Sequence, residues 1–238
     1  MAKLSIVIPA YNEENTIGEL LRQVQSVDTG NTEKEIIVVD DGSTDSTNKV
    51  VASFGGITLI RQLRNLGKGF AVRTGIDAAT GDIILIQDAD LEYDPMDYPA
   101  LIEPILSGYC DVVYGSRRLK KQTQRYSRWT FYAGGVILTT ITNLLFPNAK
   151  ITDEPTCYKV FRRSFLDRIS LTCIGFEFCP EVTAKVLRLN RRIVEVPIQY
   201  TPRSAAEGKK IKWRDGIIHV WILIKYRITP RSHFFRDT

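Results

Sequence analysis

The chain has 238 residues, 44% of them hydrophobic and 25% charged, with no low-complexity tract and no internal repeat. That balance excludes a largely disordered chain, and the length allows one large α/β domain with a full core. The net charge of +5 hides a division: residues 1–116 carry 8 Lys and Arg against 18 Asp and Glu, net −10, and residues 117–238 carry 24 against 9, net +15, which points the back half toward phosphate, anionic lipid or nucleic acid.

Met1-Ala2-Lys3 leads straight into a strand-like run, so nothing marks a secretory signal. The front half then alternates β-branched runs with helix-period segments, the pattern of repeated β-α units and a parallel sheet. Strands are expected at LSIVIP (4–9), EIIVVDD (35–41), ITLIRQL (57–63), DIILIQD (82–88) and DVVYGS (111–116), with helices at about 16–26, 45–54, 69–79 and 97–107. The back half is less regular, with helices expected near 128–146, 179–189 and 213–228 and strands near 158–162 and 193–200. No Gly/Ser-rich or Pro-rich linker separates the halves, so residues 1–210 are expected to form one domain and 211–238 an amphipathic, interfacial C-terminal helix and tail. The uncharged segment 129–146 is 18 residues long, but its threonines, Asn143 and Gly134-Gly135 weaken it as a spanning helix. It reads as a core helix or as one lying in a membrane interface.

Ligands of a parallel sheet collect beyond the carboxyl ends of its strands. There the sequence places PAYNEEN (9–15), DDGSTDST (40–47), RNLGKGFAVRTG (64–75) and QDADLEYD (87–94). Asp45 or Ser43 is a competent N-cap for the helix that follows the second of these. Asp88 and Asp90, two apart, share a side if the chain stays extended, with Glu92 following on that side. Carboxylates so placed suit Mg²⁺ or Mn²⁺, which is commonly held by one or two carboxylates and the phosphates of a substrate. Neither GxxxxGK[ST] nor GxGxxG is present, which counts against an NTPase or an NAD enzyme. The four cysteines stand too far apart for paired metal hooks and are expected as free thiols in a reducing cytoplasm. His219 and His233 are isolated, and His219 reads as part of an apolar helix face. Glu177 and Glu181 read as ligand-site neighbours or, equally, as structural or capping residues.

In this order, PAYNEE, DDGSTD, RNLGKG, DAD and Gly115-Ser116-Arg117, followed by TDEPTCYKVFRRS, GFEFCPEVTAKV and EVPIQYTPRSAAEGKKIKWRDG, resemble the family 2 glycosyltransferases of the GT-A fold. The last segments resemble the branch of polyprenyl-phosphate glycosyltransferases that includes the dolichyl-phosphate mannose synthases. The resemblance implies a GT-A nucleotide-diphospho-sugar transferase fold, a mostly parallel central sheet flanked by helices. It implies that Pro9, Tyr11 and Glu13, with Asp40 or Asp41, hold the nucleotide, and that Asp88, Asp90 and Glu92 bind Mg²⁺ or Mn²⁺ on the donor diphosphate. Arg117, Arg128 and Arg203, with Lys209 and Lys210, would receive the acceptor phosphate, and Asp88, Asp90 and Arg117 would carry the catalysis. The implied substrates are a nucleotide sugar, GDP-mannose or UDP-glucose, and a polyprenyl or dolichyl phosphate. The chain would touch the cytoplasmic face of a membrane peripherally, with or without a separate membrane-protein partner. Two departures bear on the sugar: Glu92 stands where mannose synthases often carry Gln, and Thr156-Cys157-Tyr158-Lys159 replaces a Ser-Gly-Phe-Arg type of segment.

The chemistry agrees with that reading. A phosphate acceptor is already ionised, with a second pKa of about 6 by analogy with phosphoserine, so it needs cations and no general base. A soluble saccharide or protein acceptor is the alternative and would require a carboxylate base. A scaffold that binds nucleotide sugar without turnover is a further one, against which the intact DAD argues. Nucleic-acid binding by the basic half lacks an aromatic stacking platform, and no nucleic-acid partner is expected.

Overall fold

The computed structural model describes residues 1–119, 129–203 and 213–236. Among these, seven strands form one sheet in the order β3-β2-β1-β4-β6-β5-β7: β1 (Ala2–Ala10), β2 (Thr32–Asp40), β3 (Ile57–Arg61), β4 (Ile83–Ile86), β5 (Val112–Ser116), β6 (Lys159–Arg162) and β7 (Ile193–Pro197). All run parallel except β6, which lies antiparallel between β4 and β5. The expected mostly parallel sheet is therefore present, with one reversed strand supplied by the back half.

Side-chain alternation along β1 builds both faces of the sheet. Leu4, Ile6 and Ile8 join the core under α1 (Ile17–Ser26) and α4 (Tyr98–Leu106), while Val7 joins the core under α3 (Lys68–Ala78) and α7 (Phe178–Arg188). The short α2 (Thr47–Ala52) and the single turn α6 (Arg163–Leu166) complete the flanks. The N-cap of α2 is Ser46, not Asp45 or Ser43, and its side chain makes no cap hydrogen bond; Asp45 Oδ1 accepts the Thr47 N–H at 2.9 Å, and Ser43 Oγ accepts the Asn12 N–H.

Two more helices, α5 (Trp129–Leu145) and α8 (Trp213–Ile228), pack on each other, and α8 also packs on α7. Among the described residues no helix is long and apolar enough to cross a membrane. Neither α5 nor α8 is a simple core helix. α5 buries Thr139 and Thr142 but exposes Trp129, Ile137 and Leu144. α8 buries a narrow stripe of His219, Leu223 and Tyr226, and most of what it exposes is apolar: Trp213, Ile217, Ile218, Trp221, Ile224 and Ile228. Arg214, Lys225 and Arg227 are exposed among those apolar side chains, so the solvent side of α8 mixes apolar and basic groups.

The fourth strand ends two residues earlier than the sequence suggests, at Ile86, and this changes the carboxylates beyond it. Gln87 is fully buried and accepts hydrogen bonds from Tyr98 and Tyr158, after which the chain bends. Asp90 Oδ1 accepts the Glu92 N–H at 3.0 Å, an Asx turn in place of extended chain. The extended chain on which a common side for Asp88, Asp90 and Glu92 depends gives way to that turn.

Candidate functional site

The loops after β1, β2, β3 and β4 meet at one edge of the sheet and lace together. Asn12, in the left-handed region at φ 51°, donates its N–H to Ser43 and accepts the Thr44 N–H, while the Glu13 N–H donates to Thr47 Oγ1. Gly42 is required there: at φ +72° its missing Cβ would lie 2.4 Å from the backbone of Arg64. Asp41 accepts the N–H groups of Leu66 and Gly67 at 2.8 and 2.9 Å; burial raises its carboxyl above the ordinary range, against the pull of those two donors. Asp40 is spent on structure, accepting from Ser43 N–H and Asn48.

These loops open into a cleft of about 1180 Å³ lined by Pro9, Tyr11, Glu13, Asp41, Asp88, Asp90, Glu92, Arg117 and Arg203. Nine sequence candidates thus share one cavity, and Asp40 lies beneath it. Arg128, Lys209 and Lys210 lie outside the described residues.

Within the cleft the groups divide. Asp88 Oδ1 is buried without an aligned hydrogen bond but lies 2.5 Å from Lys68 Nζ. Burial disfavours both charges; their attraction prevails, so Asp88 titrates below the usual carboxylate range and Lys68 above the usual lysine range. Asp90 Oδ2 lies 3.3 Å from Arg203, which also reaches Glu13 at 2.9 Å. Glu92 accepts from Tyr200 OH and from the Arg203 N–H. Among the described residues no three acidic, His or Cys side chains converge as a metal cage. Asp88 and Asp90 nonetheless offer the hard oxygen pair that suits Mg²⁺ or Mn²⁺ when phosphates complete the shell.

Arg117 sits at the end of β5, its Nε and Nη2 on Asp153 at 2.7 and 2.8 Å and its guanidinium 5.0 Å from the Tyr200 ring centroid. Asp153 is fully buried; burial would raise its carboxyl, but Arg117 holds it below the ordinary range. Glu195 fixes this corner by accepting the N–H groups of Thr152 and Asp153.

Past Arg117 and Arg118 the cleft becomes apolar, walled by Tyr132, Ile137 and Leu138 of α5 and by Trp213, Ile217, Trp221 and Ile224 of α8. His219 also lines it and carries more than an apolar role, with Nε2 2.5 Å from the buried Glu154 carboxylate. Glu181 and Glu177 are structural: the first accepts from Thr172, Tyr226 and Lys185, the second from the Ile174 N–H. Lys68 in RNLGKG, and Asp153 and Cys157 in TDEPTCYKVFRRS, carry no catalytic or binding role from the sequence alone; Lys68 and Cys157 line the cleft, and burial pushes the Cys157 thiol upward. Tertiary proximity sets Asp153 against Arg117 and Cys157 in the cleft.

Residues 5–170 match the family described as Glycosyl transferase family 2. The chain is 30% identical, over 94% of its length, to a dolichol-phosphate mannosyltransferase of Pyrococcus furiosus. It is 28% identical, over 98% of its length, to a dodecaprenyl-phosphate galacturonate synthase of Rhizobium johnstonii. It spans 64% and 70% of the lengths of those two proteins. In three dimensions it is similar to glucosyl-3-phosphoglycerate synthase from Mycobacterium tuberculosis in complex with UDP, with a TM-score of 0.75 at 21% identity over 97% of this chain and 82% of that one. That synthase has also been crystallised with Mn²⁺, UDP-glucose and phosphoglyceric acid. The structural likeness carries the GT-A fold, and the sequence match carries the lineage: the chain belongs to glycosyl transferase family 2.

Proposed function

We propose that this protein is an inverting, metal-dependent glycosyltransferase that moves a hexose, mannose or glucose, from a nucleotide sugar to a polyprenyl phosphate. The observation that carries the reading is the continuity of the cleft, in which strand-end carboxylates, Arg117 and an apolar wall line one cavity. The names of the relatives support the acceptor better than the sugar. Dolichol-phosphate mannosyltransferase, dodecaprenyl-phosphate galacturonate synthase and undecaprenyl-phosphate 4-deoxy-4-formamido-L-arabinose transferase share a polyprenyl phosphate and differ in what is attached to it.

In this reading Pro9, Tyr11, Glu13 and Asp41 border the nucleotide, and Asp88 and Asp90 would hold a divalent ion, which would supply charge neutralisation at the donor diphosphate. Arg117, oriented by Asp153, faces the acceptor phosphate, for which a guanidinium is the apt partner. The acceptor oxygen forms its bond to the anomeric carbon as the carbon–oxygen bond to the donor diphosphate breaks on the opposite face. No proton leaves the acceptor, so no carboxylate base is needed beside Arg117. The exposed Trp213 and Trp221 and the isoleucines around them would seat α8 in the headgroup region at the cytoplasmic face of a membrane, beside Arg214, Lys225 and Arg227.

The test is a donor panel of labelled GDP-mannose, UDP-glucose and UDP-N-acetylglucosamine with Mg²⁺ or Mn²⁺ and a polyprenyl phosphate, scored by label entering the organic phase. Label from one donor, lost with EDTA, is expected. Nucleotide-sugar binding without any lipid product would move the acceptor to a soluble saccharide or protein.

A further inference from the structure

Two of the chain's own cations stand among the strand-end carboxylates. Lys68 Nζ lies 2.5 Å from Asp88 Oδ1, and Arg203 Nη2 lies 2.9 Å from Glu13 Oε2 and 3.3 Å from Asp90 Oδ2. The Arg203 side chain is only 15% exposed, and its Nε is buried without a hydrogen-bond partner. The guanidinium is therefore placed by charge more than by a full set of hydrogen bonds. The backbone that delivers it is pinned through one residue: Glu92 accepts the Thr201 N–H on its carbonyl at 2.9 Å, the Arg203 N–H on Oε1 at 2.8 Å and Tyr200 OH on Oε2 at 3.0 Å. Glu92, expected as a metal ligand, instead clasps the stretch that carries Arg203.

We propose that Arg203 is a positioning residue, the resident counter-cation of the carboxylate pair at the donor end, and that it gives up Asp90 and Glu13 when a divalent ion and a nucleoside diphosphate bind. An arginine and a divalent cation cannot occupy the same carboxylate oxygens, because their mutual repulsion at such distances exceeds what the second cation gains. Departure of Arg203 loosens the Glu92 clasp and frees the 200–203 stretch. The inference rests on the donor-site reading above, but it makes a separate statement about the protein with the metal alone.

The experiment is Mn²⁺ binding, followed by the paramagnetic resonance of free Mn²⁺, to the wild-type protein and to Arg203→Met and Arg203→Lys, each without nucleotide and with UDP. Without nucleotide, Arg203→Met binds Mn²⁺ about tenfold or more tightly than wild type, and Arg203→Lys, which keeps the charge, stays within about threefold of wild type. Unchanged or weaker binding by Arg203→Met overturns the proposal, as does equal tightening by both variants. A second measurement uses the wild-type protein alone: hydrogen exchange at Thr201 and Arg203 accelerates on adding Mn²⁺ and UDP, and unchanged or slower exchange overturns the displacement. Failure of wild type to bind Mn²⁺ even with UDP overturns the donor-site reading itself, and the proposal with it.

Discussion

Asp153→Asn isolates the orientation of Arg117. The substitution keeps the shape of a fully buried side chain and removes the charge that receives Arg117 Nε, Nη2 and N–H at 2.7, 2.8 and 3.0 Å. Breaking a buried ion pair from one side costs about 3–5 kcal/mol, because the remaining charge stays desolvated. Arg117 is 22% exposed and recovers part of its hydration, which lowers the expected loss to roughly 2–3 kcal/mol. For a chain of this size that corresponds to a fall in Tm of about 5–10 °C. The loss depends on pH: Asp153 titrates below the usual range in the fold, so its contribution is complete above the unfolded carboxylate pKa and vanishes as pH falls through the lower folded value. In the transfer assay the KM for polyprenyl phosphate rises about tenfold or more while that for the nucleotide sugar moves less than about threefold, an estimate from the loss of one charge-assisted contact. A Tm within about 2 °C of wild type together with an unchanged acceptor KM would refute the reasoning, since Arg117 would then be placed by something other than Asp153.

Glu35 accepts Ser5, Lys3 and two Thr80 donors; burial pushes its carboxyl up, but those donors together bring it down to about 2. Glu35→Gln should therefore cost roughly 2–3 kcal/mol at pH 7, a gap that closes between about pH 4.5 and 2, and urea unfolding at several pH values would expose a gap that fails to close. A Cβ on Gly75 would meet Val7 Cγ1 at 2.3 Å, whereas one on Gly134 meets nothing within 4 Å. Gly75→Ala should lower stability by about 1–3 kcal/mol and Gly134→Ala raise it by up to about 1 kcal/mol; the opposite order in denaturant midpoints would contradict the packing of α3 on β1. Burial pushes the Glu154 carboxyl up, but His219, 2.5 Å away, outweighs it and the group titrates below its usual range. His219→Leu strands that carboxylate and should cost about 3 kcal/mol by thermal melting, with no loss indicating that Glu154 finds another partner.

The front half of the fold was legible because each β-α unit closes on itself. Period-2 and period-3.6 runs identify β1 to β5 and α1 to α4 within a few residues, and parallel pairing follows from the crossover lengths. The reversed direction of β6 was not legible, since it depends on where a chain leaving α5 re-enters the sheet between β4 and β5. The candidate site divides in the same way. Residues beyond strand ends were found by position, and Tyr11, Asp41, Asp88 and Arg117 share the cleft as expected. What position could not supply is the partner across the cleft. Arg203 reads as an acceptor cation and lies on Glu13 and Asp90, and Glu92 reads as the third metal ligand and lies on Tyr200. In each case the competing partner comes from more than 100 residues away, where no local pattern reaches.

The charge division of the sequence acquires a more specific meaning from these pairs. Arg162 and Arg191 reach Asp111, Arg203 reaches Glu13 and Asp90, and Arg236 reaches Asp77, so the basic half supplies counter-cations to the acidic half within one fold. The excess positive charge pertinent to a membrane is therefore smaller than +15, and near the apolar wall it includes Arg214, Lys225 and Arg227 on α8. Those side chains flank exposed Trp221 and Trp213, which would make apolar insertion and charge separable contributions to the proposed docking. Trp221→Glu should weaken binding to neutral and anionic vesicles alike, by roughly tenfold or more given the burial of one indole and the cost of an inserted carboxylate. Raising salt from about 0.05 to 0.5 M should weaken binding only to anionic vesicles, because it shortens the Debye length to a few ångströms. Equal affinity of wild type and Trp221→Glu in vesicle sedimentation would place the membrane contact off α8, and salt-independent binding to anionic vesicles would assign the cations of α8 to the protein's own carboxylates instead of to lipid.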